Sequence, residues 1–126
     1  MTAYVLDIPG RPVALNAERK GNRWDRAKAT DAVRQMAAVL WRSGVNEGRY
    51  PKTLPAITVT VQQLSKDRRW LIDLGSALPH AKAALDGIVD TGLLPNDTAE
   101  YVRCLSFIPP AIVGSDALRL TIEVAA

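Results

Sequence analysis

The sequence predicts one mixed α+β domain spanning residues 1–126, with about four strands and two main helices in the order βαβαββ. Three observations predict it. Residues 57–64 (ITVTVQQL) alternate at period two, the signature of a strand with one buried face. Ala81, Ala84, Leu85, Ile88 and Val89 recur at i, i+3, i+4, i+7 and i+8, which is the apolar stripe of an amphipathic helix. A chain of 126 residues with 48% hydrophobic and 23% charged residues can build one core without staples.

The elements follow in order. Residues 4–8 (YVLDI) alternate as a short strand closed by Pro9-Gly10 and Pro12. Residues 16–25 (NAERKGNRWD) are polar and basic with no sustained period, a loop. From Trp24 or from Asp31 to Ser43, Ala27, Val33, Ala37, Leu40 and Trp41 recur at helical spacing. Thr30 or Asp31 can cap the body of that helix, and Gly44 ends it. Residues 46–55 carry two prolines and a glycine and connect to the strand at 57–64. Residues 66–69 (KDRR) form a charged turn, and 70–73 a short extended piece. Ser76 or a neighbour caps the second helix, with Pro79 tolerated in its first turn. Gly92 stops this helix and Pro95-Asn96-Asp97 makes a turn. Residues 102–108 and 117–124 are two further strands, joined by a loop containing Pro-Pro and Gly-Ser-Asp.

Charge divides the chain. Residues 1–52 carry ten Lys/Arg against five Asp/Glu, whereas residues 53–126 carry six against eight. A basic half beside an acidic patch suits a protein that binds polyanions and uses carboxylates to hold cations, although ordinary solvated surfaces look the same. No apolar run is long enough to span a membrane, and the N-terminal MTAYVLDIPGRP lacks the pattern of a secretion signal. The lone Cys104 excludes an internal disulfide framework and a cysteine zinc site. A cytoplasmic protein is the expectation. Cys104, in an apolar strand, reads as a core residue, as do Trp41 and Trp70. His80, the one histidine, reads as a surface residue in the first turn of the second helix, since no partner motif accompanies it; a general base is the alternative.

The candidate chemistry lies between Asp73 and Asp97. Lys82, Asp86 and Asp90 fall along one helix flank at i, i+4 and i+8, and the turn after the helix delivers Asp97. Carboxylates gathered by a helix and the loop after it can hold Mg²⁺ against phosphates. The plainer reading is a surface Lys82–Asp86 ion pair with turn residues beyond it. Arg19, Lys20, Arg23, Arg26 and Lys28 cluster around Trp24, a composition suited to tracking phosphates and stacking on an opened base. Lys66, Arg68 and Arg69 form a second basic turn just before Asp73. Contacts of this kind go mostly to phosphate and read shape more than sequence.

Two stretches carry a resemblance. PGRPVALNAERKGNRW resembles the N-terminal signature of the RusA-type Holliday-junction resolvases. DLGSALPHAKAALDGIVDTGLLPNDTAEYV resembles that family's active-site segment, with a Lys and an Asp four apart on a helix, then a Gly and an acidic turn. The resemblance spans nearly the whole chain and implies a RusA-like fold. It also implies a Mg²⁺-dependent endodeoxyribonuclease, with Mn²⁺ as a substitute ion, that resolves four-way or branched DNA in recombination and repair. A homodimer, encoded by a phage or prophage, is implied as well. Asp73 and Asp97 are then the metal ligands and Lys82 the cation that orients phosphate or nucleophile. Asp86 is either an outer carboxylate of the site or a helix-surface residue. The chain departs from the family pattern at Gly75 and Ser76, which stand where an Asp and an Asn belong, and at Asn96, which replaces the first Asp of the turn. These departures leave a second reading open, a catalytically impaired relative that binds DNA or serves as a regulatory or interaction module.

Overall fold

The computed structural model describes residues 2–10, 23–67 and 77–125, with residues 23–27 described by their backbone alone. Among the described residues five strands and two helices follow in the order βαβαβββ: β1 (Ala3–Pro9), α1 (Arg23–Asn46), β2 (Ile57–Ser65), α2 (Leu78–Asp90), β3 (Val102–Phe107), β4 (Ala111–Ile112) and β5 (Ala117–Val124). The α+β class and the two helices are as the sequence predicts. β4 is the added strand, too short for an alternating pattern to register. The strands form one mixed sheet in the order β1-β5-β2-β3, with β4 also pairing with β2. β5 runs antiparallel to both β1 and β2, while β3 and β4 lie parallel to β2.

Period-two alternation gives the sheet one apolar face. Leu6 lies opposite Leu120, which in turn lies opposite Val61, and Val59 pairs with Ile122. All five are buried in the same core as Ala81, Ala84, Leu85 and Ile88 of α2 and Ala37 and Trp41 of α1. The alternate positions of β2 and β5, Thr58, Thr60, Gln62, Arg119 and Thr121, are polar and half-buried on the other face. There Arg119 donates two hydrogen bonds, of 2.8 and 2.9 Å, to Asp7 on the neighbouring strand. Fully burying each large aliphatic side chain of the core is worth ~1.5–3 kcal/mol.

The first helix starts at the upstream of the two expected points and runs further than expected. Arg23 to Asp25 belong to it rather than to a loop, and Thr30 and Asp31 lie in its interior instead of capping it. Gly44 does not end it. A Cβ at Gly44 would run into the Tyr50 ring, so glycine stands here for space, and the chain turns only at Gly48, whose φ is 77°. Tyr50 stacks on buried Trp41 at a centroid separation of 4.1 Å and donates a 2.6 Å hydrogen bond to the Val5 carbonyl. The loop after α1 is thereby fixed to strand β1.

One further expectation holds in position and two are corrected. Ala77 takes the N-cap position of α2, with no side-chain cap bond, while Pro79 sits in the first turn as expected; Ser76 lies outside the described residues. His80 is buried, because α2 hides a second flank besides its apolar stripe: His80, Ala83 and Gly87 recur at i, i+3 and i+7. Cys104 is exposed. A register shift pairs Ile57 with Val102 but Thr58 with Cys104, so Arg103 is the extra residue and Cys104 moves to the polar face.

The two helices touch where Gly87 meets α1. A Cβ there would collide with the Arg34 carbonyl oxygen and crowd the Ala37 Cβ at 3.2 Å. Gly87→Ala forces a backbone to move and is expected to lower stability by ~2 kcal/mol, read as a reduced urea midpoint with an unchanged slope.

Candidate functional site

The site is built from the exposed flank of α2 and the loop that follows it. Gly92, with φ of 96°, reverses the chain after Thr91, and Leu93 and Leu94 then bury themselves in the core. The Leu93 carbonyl accepts a 3.1 Å hydrogen bond from the Leu54 amide, which ties the loop to the entry of β2. Asn96 Oδ1 accepts a 2.9 Å bond from the Thr98 amide, an Asx turn that fixes the backbone on either side of Asp97. Two buried leucines and one side-chain turn thus carry Asp97 back alongside the first turns of α2.

Lys82 is the hub of this arrangement. Its Nζ donates a 2.8 Å hydrogen bond to Asp86 Oδ1, one helical turn on, and a second to Asp97 Oδ2. Side-chain exposures of 48% for Lys82, 28% for Asp86 and 35% for Asp97 place the group at the surface, partly screened by water. Partial burial depresses the Lys82 pKa, but hydrogen bonds to Asp86 and Asp97 outweigh it, and the net shift is upward. The Lys82 hydrogen bond holds the Asp97 carboxyl below the usual carboxylate range, against a smaller opposing effect of burial.

Asp90 does not join the hub. Arg34 on α1 grips it with two bonds, Nε to Oδ2 at 2.6 Å and Nη2 to Oδ1 at 2.8 Å, and this bond to Arg34 lowers the Asp90 pKa. The pair staples the two helices. A cleft of about 250 Å³ opens beside it, lined by Thr30, Asp31, Arg34, Ala83 and Asp86, so Asp86 borders both the cleft and the Lys82 hub. The sequence carries no signal for Arg34 or for the cleft, because the partners lie 56 residues apart on different elements.

The chain matches no protein-family model, and no curated protein matches it. Function therefore has to be read from the residues themselves. Of the expected site residues, the structure brings together Lys82, Asp86 and Asp97. Asp73, Arg19, Lys20, Arg68 and Arg69 lie outside the described residues, as does Trp70. Arg23, Trp24 and Arg26 lie in the first turns of α1, with Lys28 exposed one turn further on, and Lys66 is exposed just after β2. The Lys66 amide donates to Asp116 Oδ1 at 2.8 Å, and the Asp116 carbonyl accepts from Gly10, so one residue ties the ends of β1 and β2 together. Among the described residues, no cluster of three or more His, Cys, Asp or Glu is placed to hold a metal ion. No helix among them is long and apolar enough to cross a membrane.

The pKa shifts fix the pH window of the hub. A carboxylate with a lowered folded pKa stabilises the fold above its unfolded value, and that contribution disappears as pH falls through the folded value. A lysine with a raised pKa contributes below its unfolded value and stops contributing as pH rises through the folded one. Lys82→Met is therefore expected to cost ~0.5–1 kcal/mol between about pH 4 and pH 10, with the difference from wild type fading outside that window. Thermal melts across pH check this, and a carboxyl-carbon NMR titration should show Asp97 returning towards its ordinary pKa in the variant.

Proposed function

We propose that this protein is a Mg²⁺-dependent endodeoxyribonuclease that cuts four-way or branched DNA, in the manner of the RusA-type resolvases it resembles. The observation that carries the reading is the Lys82 ammonium shared between a carboxylate of α2 and a carboxylate of the following turn. Two acids from different elements converge on one cationic point, and Mg²⁺ needs only one or two carboxylates with water completing its shell. On this reading Asp97 and Asp73 are the ligands, as the resemblance implies, and Asp86 is an outer carboxylate or a helix-surface residue; of these, Asp73 lies outside the described residues. Bound there, Mg²⁺ would polarise a phosphodiester and lower the pKa of a bound water.

The chain's own residues supply the remaining tasks. Lys82 neutralises charge next to the scissile phosphate, and the Asx turn at Asn96 holds Asp97 in place. Arg19, Lys20, Arg23, Arg26 and Lys28 track phosphates around Trp24, and Lys66, Arg68 and Arg69 hold the backbone close to Asp73. A four-way junction has two-fold symmetry, so paired cuts call for a homodimer. A cytoplasmic setting and a phage or prophage origin belong to the same proposal.

One observation favours a second reading, a DNA-binding module without catalysis. Asp97 is already neutralised by Lys82, and the side-chain oxygen of Asn96 is engaged by the Thr98 amide instead of being presented to an ion. A single assay separates the two: a synthetic four-way junction and a linear duplex incubated with Mg²⁺, Mn²⁺ or EDTA. The nuclease reading expects paired, metal-dependent nicks on the junction, reduced at least about 100-fold in Asp97→Asn and in Asp73→Asn. Junction binding without nicks in any metal would establish the binding module instead.

A further inference from the structure

We infer that the free edge of β3 is a self-association surface, where residues 104–108 pair antiparallel with the same stretch of a second copy about a two-fold axis at Ser106. This surface lies apart from the Lys82 group and shares only the homodimer with the nuclease reading. Of the two edges of the sheet, β1 is blunted. The Gly10 amide turns to the β5 side and donates to the Asp116 carbonyl, so by alternation Ala3, Val5, Asp7 and Pro9 turn their backbone groups outward. There the Val5 carbonyl already accepts the Tyr50 hydroxyl, Pro9 has no N–H, and Asp7 carries a carboxylate.

The β3 edge is open. Leu105 lies opposite Val59 and Phe107 opposite Val61, and the Ile108 amide donates to the Val61 carbonyl at 3.0 Å. Parallel pairing of this kind turns the backbone of residues 104, 106 and 108 to β2. The amide and carbonyl of Leu105 and of Phe107 point away from the sheet, where no described strand meets them. The bulge at Arg103 ends this regular stretch on one side and Pro109-Pro110 on the other, so its midpoint is Ser106. An antiparallel copy centred there sets Leu105 against Phe107 twice, and each such pair exchanges both backbone hydrogen bonds. It also covers two apolar side chains that the core leaves half-buried. Residues 104–113 carry no charge, so two copies of a chain with net charge +3 meet where they repel least. Strand pairing alone falls short of the ~1,200–2,000 Å² of a stable interface. Ile108, Ile112 and Val113, 40%, 49% and 52% exposed along the same edge, supply further apolar area. An edge with donors and acceptors matched about one point, and no charge, fits its own copy.

The register is tested by cross-linking the full chain. In a non-hydrogen-bonded antiparallel pair the Cα atoms lie about 4.5 Å apart, within disulfide reach, and that is the relation of Ser106 to its copy. Ser106→Cys, combined with Cys104→Ser, should therefore convert to a covalent dimer under mild oxidation, whereas Ile112→Cys combined with Cys104→Ser should not. Sedimentation velocity should show wild type as a dimer. Ile108→Lys alters an exposed side chain, and a thermal melt checks that it folds; it should raise the dimer dissociation constant about tenfold or more. The pairing is overturned if Ser106→Cys links no faster than Ile112→Cys, if wild type stays monomeric across the whole concentration range, or if Ile108→Lys associates as tightly as wild type. Junction nicking is scored separately: a nicking protein that fails the Ser106 cross-link keeps the nuclease reading and loses this pairing, and a cross-linked dimer that never nicks does the reverse.

Discussion

The arrangement depends on a sheet that is apolar on one face only, so the two helices must cover that face together and press against each other while doing so. The tightest point of that contact is Gly87 of α2 against the Arg34 carbonyl and Ala37 of α1. With the helices this close, α2 has two flanks buried and one left to solvent. Lys82 and Asp86 occupy the exposed flank. Asp90, further along α2, lies within reach of Arg34 and is taken by it, which leaves Asp86 and Asp97 for Lys82. The composition of the candidate site is thus a consequence of helix packing as much as of the residues placed on the helix.

Backbone and side chains play different parts at this site. The loop that carries Asp97 is rigid for reasons that have nothing to do with charge: two buried leucines, a glycine turn and one side-chain hydrogen bond. The charged groups themselves are exposed, and surface ion pairs contribute little to stability. A site so made keeps its geometry when its charges change partners.

What the sequence reveals follows the range of the interaction. β2 and the stripe of α2 are written in local periodicity, and both appear in the structure. The Lys82–Asp86 pair is legible from i, i+4 spacing alone. The contact between Lys82 and Asp97 is not, because it depends on a loop folding back over its own helix. Gly44 looks like a helix terminator because a left-handed φ and a closely packed aromatic ring both call for glycine, and here it is the ring. Cys104 looks buried because a bulge at Arg103, which inverts the faces of β3, leaves no trace in the alternation pattern. His80 looks exposed because a polar residue outside the apolar stripe gives no sign that α2 buries a second flank.

The charge at the hub also bears on how a polyanion could approach it. Asp86 and Asp97 with Lys82 sum to one negative charge at the surface, and Asp31 lines the same cleft as Asp86. A phosphate backbone drawn in by the basic N-terminal half would meet repulsion at this point unless a cation intervened. Whatever polyanion the basic half attracts, the Asp86–Lys82–Asp97 group taken by itself leaves a single uncompensated negative charge at the surface, so approach at this point depends on the cations around it and weakens as salt screens them.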